Sequence, residues 1–145
     1  MTKAILPKSL QRLGQAANQA AARQRFADYQ SRRAEHTLRR QQADLALFAR
    51  FLSGLGVAVG QLASDPQAWA GVTWGLVSAF VQWQLAQGYA VSTVNRRLST
   101  VKRYATLAAQ AGVLPDAEAR LIASVTGYGH KEGRNVDERR SQAGL

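Results

Sequence analysis

The stretch from Ser92 to Gly112, STVNRRLSTVKRYATLAAQAG, constrains the chain more than any other, because one side of it demands a core and the other demands solvent or an anion. At about 100° per residue, Val94, Leu98, Val101, Ala105 and Ala108 fall on one helical face, and Arg96, Ser99, Thr100, Arg103 and Gln110 fall opposite. Arg96 and Arg103 stand two turns apart on the solvent side, with Arg97 and Lys102 at its edges. Leu107 falls on the cationic side one turn past Arg103. It predicts packing against a neighbouring segment and confines any ligand contact to the N-terminal half of the helix.

Such a helix needs partners, and the remaining sequence supplies them. From Thr37 to Leu52, TLRRQQADLALFARFL places Leu38, Leu45, Ala49 and Leu52 on one stripe with Phe48 at its edge. Thr37 is positioned to cap the first-turn N–H groups. Leu47 and Phe51 lie on the opposite face, so this helix is expected to pack on two sides. Thr73 caps a further helix with Trp74, Val77, Phe80, Val81 and Leu85 on a broad apolar face, ended by Gly88 in a left-handed conformation. Trp83 lies off that stripe and reads as a second packing contact. Beyond Gly112, Pro115 and Asp116 open a short helix closed by Gly127, with Asp116 and Glu118 where the helix dipole favours negative charge.

The intervening residues 53–73 hold four glycines and a proline and read as a connector with one helical turn. Gly54, Gly56 and Gly60 resemble a phosphate-cradling loop only superficially, since neither a preceding strand nor a suitable following helix flanks them. Residues 8–36 are rich in Ala, Gln and Arg and predict a helix. Its few large apolar residues, Leu10, Leu13, Phe26 and Tyr29, predict light docking or fraying. From Tyr128 the polar, glycine-punctuated YGHKEGRNVDERRSQAGL predicts an extended tail.

No segment shows sustained period-2 alternation, so the expected fold is all-α: a compact bundle of four core helices with an additional basic N-terminal helix. With 145 residues the chain can bury one modest core. The expected division is a basic N-terminal helix or arm over 1–30, a helical core over 31–127 and a flexible linker or tail over 128–145.

A formal net charge of +10 makes nucleic acid the leading partner and an anionic membrane surface the second. The charge is uneven, +7 over residues 1–40 and −1 over 41–90. The absence of cysteine excludes disulfides, thiolate metal sites and a cysteine nucleophile. No apolar run spans a bilayer, and MTKAILPKSLQRLG lacks the apolar segment of a secretory signal, so a soluble, cytoplasmic protein is expected.

Catalytic and metal constellations are hard to assemble. The histidines, His36 and His130, stand in polar surroundings, the carboxylates are mostly dispersed, and no ligand pair recurs at helical spacing on a buried face, so no cofactor or metal is expected. The cationic faces carry more. Guanidinium groups suit phosphate oxygens and the O6 and N7 of guanine, and Ser99, Thr100 and Gln110 add neutral donors and acceptors. Thr37, Arg39 and Arg40 open the first core helix, where they either hold a phosphate or simply cap and solvate it. A different reading makes the chain a helical protein-interaction module with Trp83, Leu47 and Phe51 as its partner surface.

Four runs together resemble the N-terminal core-binding, SAM-like domain of phage-integrase tyrosine recombinases: TLRR at 37–40, DLALFARFL at 44–52, VSAFVQW at 77–83, and GYAVSTVNRRLSTVKRY at 88–104. The resemblance covers about residues 31–140, and STVNRRLSTVKRY is its most specific part. It implies a bundle lying across one face of double-stranded DNA as half of a clamp, closed by a separate catalytic domain. The chain ends where that domain is expected. The resemblance also implies other recombinase protomers on the same DNA, no small-molecule substrate, no membrane, and a nucleoid-associated location when bound.

By position the resemblance carries DNA contact to Thr93, Asn95, Arg96, Ser99 and Arg103, with Arg97 and Lys102 beside them, and backbone contact to Thr37, Arg39 and Arg40. Gln41 stands where the family often has an aromatic residue. His36 and Arg39 match the family's H-x-x-R motif by letters only, without the accompanying arginines and late tyrosine, and no catalysis is assigned to them. A standalone DNA-binding regulator derived from a recombinase is the remaining alternative.

Overall fold

A computed structural model describes residues 7–143 and all their side chains except that of His130. The outermost residues of the expected arm and tail, 1–6 and 144–145, lie outside the described residues. Six helices follow in order: α1 Lys8–Ser31, α2 Glu35–Gly54, α3 Trp74–Ala86, α4 Val91–Gln110, α5 Asp116–Ser124 and α6 His130–Gln142. A 3-10 turn, Pro66–Trp69, interrupts the α2–α3 connector, and no strand occurs among the described residues.

Helix α4 is the axis of the bundle, packing against α1, α2, α3, α5 and α6 and against the 3-10 turn. Its expected apolar stripe is buried throughout: Val94, Leu98, Val101, Ala105 and Ala108 are all at most 3% exposed. Leu107 is buried too, as its position off the stripe requires. An aromatic cluster fills the space between α2 and α3, with Phe48 and Phe80 rings 5.0 Å apart, Phe51 and Trp83 5.5 Å apart, and Trp69 against Phe48. Phe51 is therefore core, Trp83 and Leu47 are half-buried against it, and these three residues do not form a free partner surface.

Several helix ends follow the sequence. Thr73 Oγ1 accepts from the Leu76 N–H and caps α3. Gly88 and Gly112 stop α3 and α4 at φ of +92° and +79°, a region costly for any residue with a Cβ. Others depart from it. Helix α2 starts at Glu35 after Ala34, so Thr37 sits inside the first turn and caps nothing; the Glu35 carboxylate takes the dipole-favoured position there and pairs with Arg39. Helix α4 starts at Val91 after Ala90, which places Thr93 inside its first turn.

The largest departure is the C-terminal segment, which forms α6 where an extended tail was expected. The Glu132 carboxylate turns back to the Gly129 N–H and starts the helix, a local signal present in the sequence. The rest comes from docking. Asp137 Oδ1 accepts from the Val91 N–H at 3.3 Å and so caps α4, and Arg140 donates to the Leu85 and Tyr89 carbonyls, both at 2.6 Å, at the end of α3. A mostly polar helix is held by backbone groups at the end of α3, in the α3–α4 turn and at the start of α4.

Helix α1 is docked over its second half only. Ala22 and Phe26 are buried and Tyr29 is half-buried, whereas residues 8–21 are exposed throughout.

Candidate nucleic-acid interface

Helix α4 contains no acidic residue, and its solvent side presents Ser92, Ser99, Arg103, Thr106 and Gln110, all exposed. Two shoulders flank this stripe. On one, α2 runs antiparallel to α4, since Asp44 meets Arg96 and Thr100 while Gln41 meets Tyr104. On the other lies the α5–α6 connector, and between it and α4 runs an open groove of about 570 Å³ lined by Asn95, Ser99, Lys102, Arg103, Thr106 and Tyr128 among others.

The α2 shoulder is organised by a carboxylate that the sequence reading did not single out. Asp44 is 2% exposed and accepts from Arg96 Nη1 at 3.0 and 3.1 Å and from Thr100 Oγ1 at 2.8 Å. Arg96 keeps 37% of its side chain exposed, so Asp44 holds the guanidinium through Nη1 while the group stays in contact with solvent. Thr100, expected on the solvent side, is buried in this contact. Arg40 lies one turn before Asp44 on the same side of α2, and Arg103 lies three residues past Thr100. Both are exposed, and the antiparallel packing brings them to the same level of the seam.

Behind that seam a neutral network joins α1, α2 and α4. Gln41 Nε2 donates to Tyr29 Oη, while Tyr104 Oη donates to Gln41 Oε1 and accepts from Gln30 Nε2. The buried Gln41 amide is thus satisfied by two phenols. Burial, the dominant influence, raises the Tyr104 pKa above its ordinary value of 10.0 against the smaller opposing effect of the Gln30 bond.

The other predicted residues divide by location. Asn95 clamps the connector, donating to the Tyr128 carbonyl at 2.7 Å and accepting from the Tyr128 N–H at 3.0 Å. Lys102 Nζ donates to the Val125 carbonyl at 2.8 Å, which fixes the lysine on the groove's far wall without neutralising it. Arg97 turns inward, bonding Gln84 Oε1 at 3.2 Å and lying 4.2 Å over the Tyr89 ring, because its position points to the α3–α4 corner rather than to the stripe. Thr37 and Thr93 are half-buried, Arg39 is exposed beside Glu35, and the Ser99 hydroxyl is exposed while bonding back to the Asn95 carbonyl. The structure thus gathers Arg40, Arg96, Ser99, Lys102 and Arg103 on one face and sets Arg97 apart. Asp44 was legible in principle, as an acid on the Gln41–Leu45–Phe48 stripe that must find a donor once buried.

Among the described residues no group of acidic or histidine side chains is placed to hold a metal, and no helix is long and apolar enough to cross a membrane. No curated protein and no solved structure matches the chain. The family model of the phage integrase N-terminal SAM-like domain matches residues 24–112 of the 145. That span runs from the docked half of α1 to the end of α4 and takes in the whole seam, and the chain belongs to this family.

Proposed function

We propose that the domain grips duplex DNA along the exposed stripe of α4, serving DNA integration or recombination in a non-catalytic role and alongside other protomers on the same DNA. The observation that carries this reading is the charge arrangement of the face. Arg40, Arg96, Lys102 and Arg103 surround an acid-free helix, and the nearby carboxylate, Asp44, is buried beneath Arg96. The exposed Ser99 and Thr106 hydroxyls between the cations donate to the Asn95 and Lys102 carbonyls and reach a phosphate oxygen only by turning outward. Contacts of this kind position the protein with modest sequence preference, and Arg103, central and exposed, is the side chain best placed to reach a base edge.

The test is fluorescence anisotropy with a random-sequence duplex over a salt series. Each phosphate neutralised contributes about −0.9 to the slope of log affinity against log salt. Arg40→Ala with Arg103→Ala should therefore flatten the slope by about 1.8 while leaving the fold intact, since both side chains are exposed. An unchanged slope and affinity in that double variant would remove this face from the interface.

A further inference from the structure

Helix α4 carries no cation after Arg103, yet its solvent side continues two turns further to the exposed Gln110. At that end the docked half of α1 lies beside it. Arg25, Tyr29 and Arg33, spaced one helical turn apart, line a recess of about 210 Å³ together with Leu107 and Gln110 of α4. One water molecule occupies about 30 Å³, so the recess has room for an anion and its water. Leu107, which interrupts the polar side of α4, is buried here. It marks the place where α1 takes over the cationic surface, not the place where that surface ends.

The arginines of the recess are positioned and unneutralised. The Arg33 guanidinium lies 4.5 Å over the Tyr29 ring. That ring is itself fixed, since its Oη accepts from Gln41 Nε2 at 2.9 Å and it meets the Tyr104 ring edge-on at 5.5 Å. Asp28, the one acid of α1, also borders the recess but pairs with Arg32 at 3.2 Å. Among the described residues no carboxylate pairs with Arg25 or Arg33, and the three arginines against Asp28 leave the recess at +2.

We infer that this recess seats a backbone phosphate of the duplex that lies along the α4 stripe, an inference that rests on the DNA reading of that stripe. The argument is one of length. Arg96 and Gln110 are fourteen residues apart, about 21 Å along the helix, whereas the major groove is about 12 Å wide. The groove winds around the duplex, so a straight helix of that length cannot keep both ends over base edges. Its far end passes over the sugar–phosphate backbone, where cations supply the affinity. Helix α4 has none left there. Arg25 and Arg33 provide them as two guanidinium forks on either side of Tyr29, and the Gln110 amide adds a neutral donor.

The full chain with Arg25→Ala and Arg33→Ala tests the seat in the same salt series. Both side chains are exposed, and the buried Ala22 and Phe26 that dock α1 are untouched. The slope of log affinity against log salt should flatten by at least about 0.9, additively with the Arg40→Ala and Arg103→Ala pair. An unchanged slope beside a flattened one in the Arg40 and Arg103 variant would overturn the seat and leave the α4 reading standing. No effect from the Arg40 and Arg103 pair, or no salt-sensitive binding by the unmodified chain, would remove the reading and the seat with it. Nuclear magnetic resonance of the arginine Nε–H signals, assigned with the single variants, supplies the second arm. Stoichiometric duplex should shift both Arg25 and Arg33, and inorganic phosphate at the same concentration of phosphate groups should not. Equal shifts with free phosphate would make the recess a site for a small anion and overturn the proposal, as would no shift with duplex.

Discussion

Removal of the Asp44 carboxylate tests the central packing claim, that a buried acid on α2 organises the cationic seam. Asp44→Ala deletes two bonds from Arg96 and one from Thr100 and leaves the Thr100 hydroxyl without its partner. Breaking a fully buried ion pair costs about 3–5 kcal/mol. Here Arg96 is 37% exposed and can recover water at its outer face, so the loss belongs nearer the about 1.5–3 kcal/mol of a hydrogen bond to a charged group. We therefore expect Asp44→Ala to lower stability by about 2–3 kcal/mol in urea unfolding. Arg96→Ala is expected to cost at least as much, because it leaves the carboxylate buried with a single hydroxyl. The double variant should cost less than the sum of the two, with a coupling of about 1–2 kcal/mol. In duplex binding Arg96→Ala loses a cation, whereas Asp44→Asn keeps the cation and releases its anchor. Additive losses in the cycle, or an Asp44→Ala loss below about 0.5 kcal/mol, would refute the claim that this pair is one buried unit.

Tyr104→Phe should cost about 1 kcal/mol by leaving Gln41 Oε1 without its donor, while Gln30 Nε2 keeps its bond to the Ala63 carbonyl, read by thermal unfolding. Because the Tyr104 pKa is raised in the folded state, the stability linked to it is complete below about pH 10 and is lost as pH rises through the higher folded value. Ultraviolet titration of the phenols should accordingly show Tyr104 ionising late. Arg140→Ala should loosen α6 without unfolding the core, raising hydrogen exchange at residues 130–142 while the protection of Val101 and Ala105 is retained. Gly127→Ala should cost about 1–3 kcal/mol, because a Cβ there overlaps Asn95 Oδ1 and breaks its clamp on Tyr128; Asn95→Ala should be no worse than the glycine variant, read by the same unfolding assay.

The sequence alone determined the helical class, the place of α4 at the centre and several helix ends, because these follow from local periodicity and from residues such as Thr73, Gly88 and Gly112 acting on their own turns. It also marked Arg103 and Ser99 as surface, since the apolar stripe of α4 leaves them no other direction. It did not decide which cations are free. Arg96 and Arg97 are neighbours in sequence and alike in chemistry, yet one lies over Asp44 on the seam and the other over Tyr89 at the α3–α4 corner. Nor did periodicity find α6, whose residues are polar and whose anchors are backbone groups at Leu85, Tyr89 and Val91. The burial of Gln41 and Asp44 belongs to the same class, because each is satisfied by groups on other helices. What a helix turns toward the core is written in its own spacing. Which polar side chain meets which partner depends on residues dozens of positions away, and only the packed bundle brings them together.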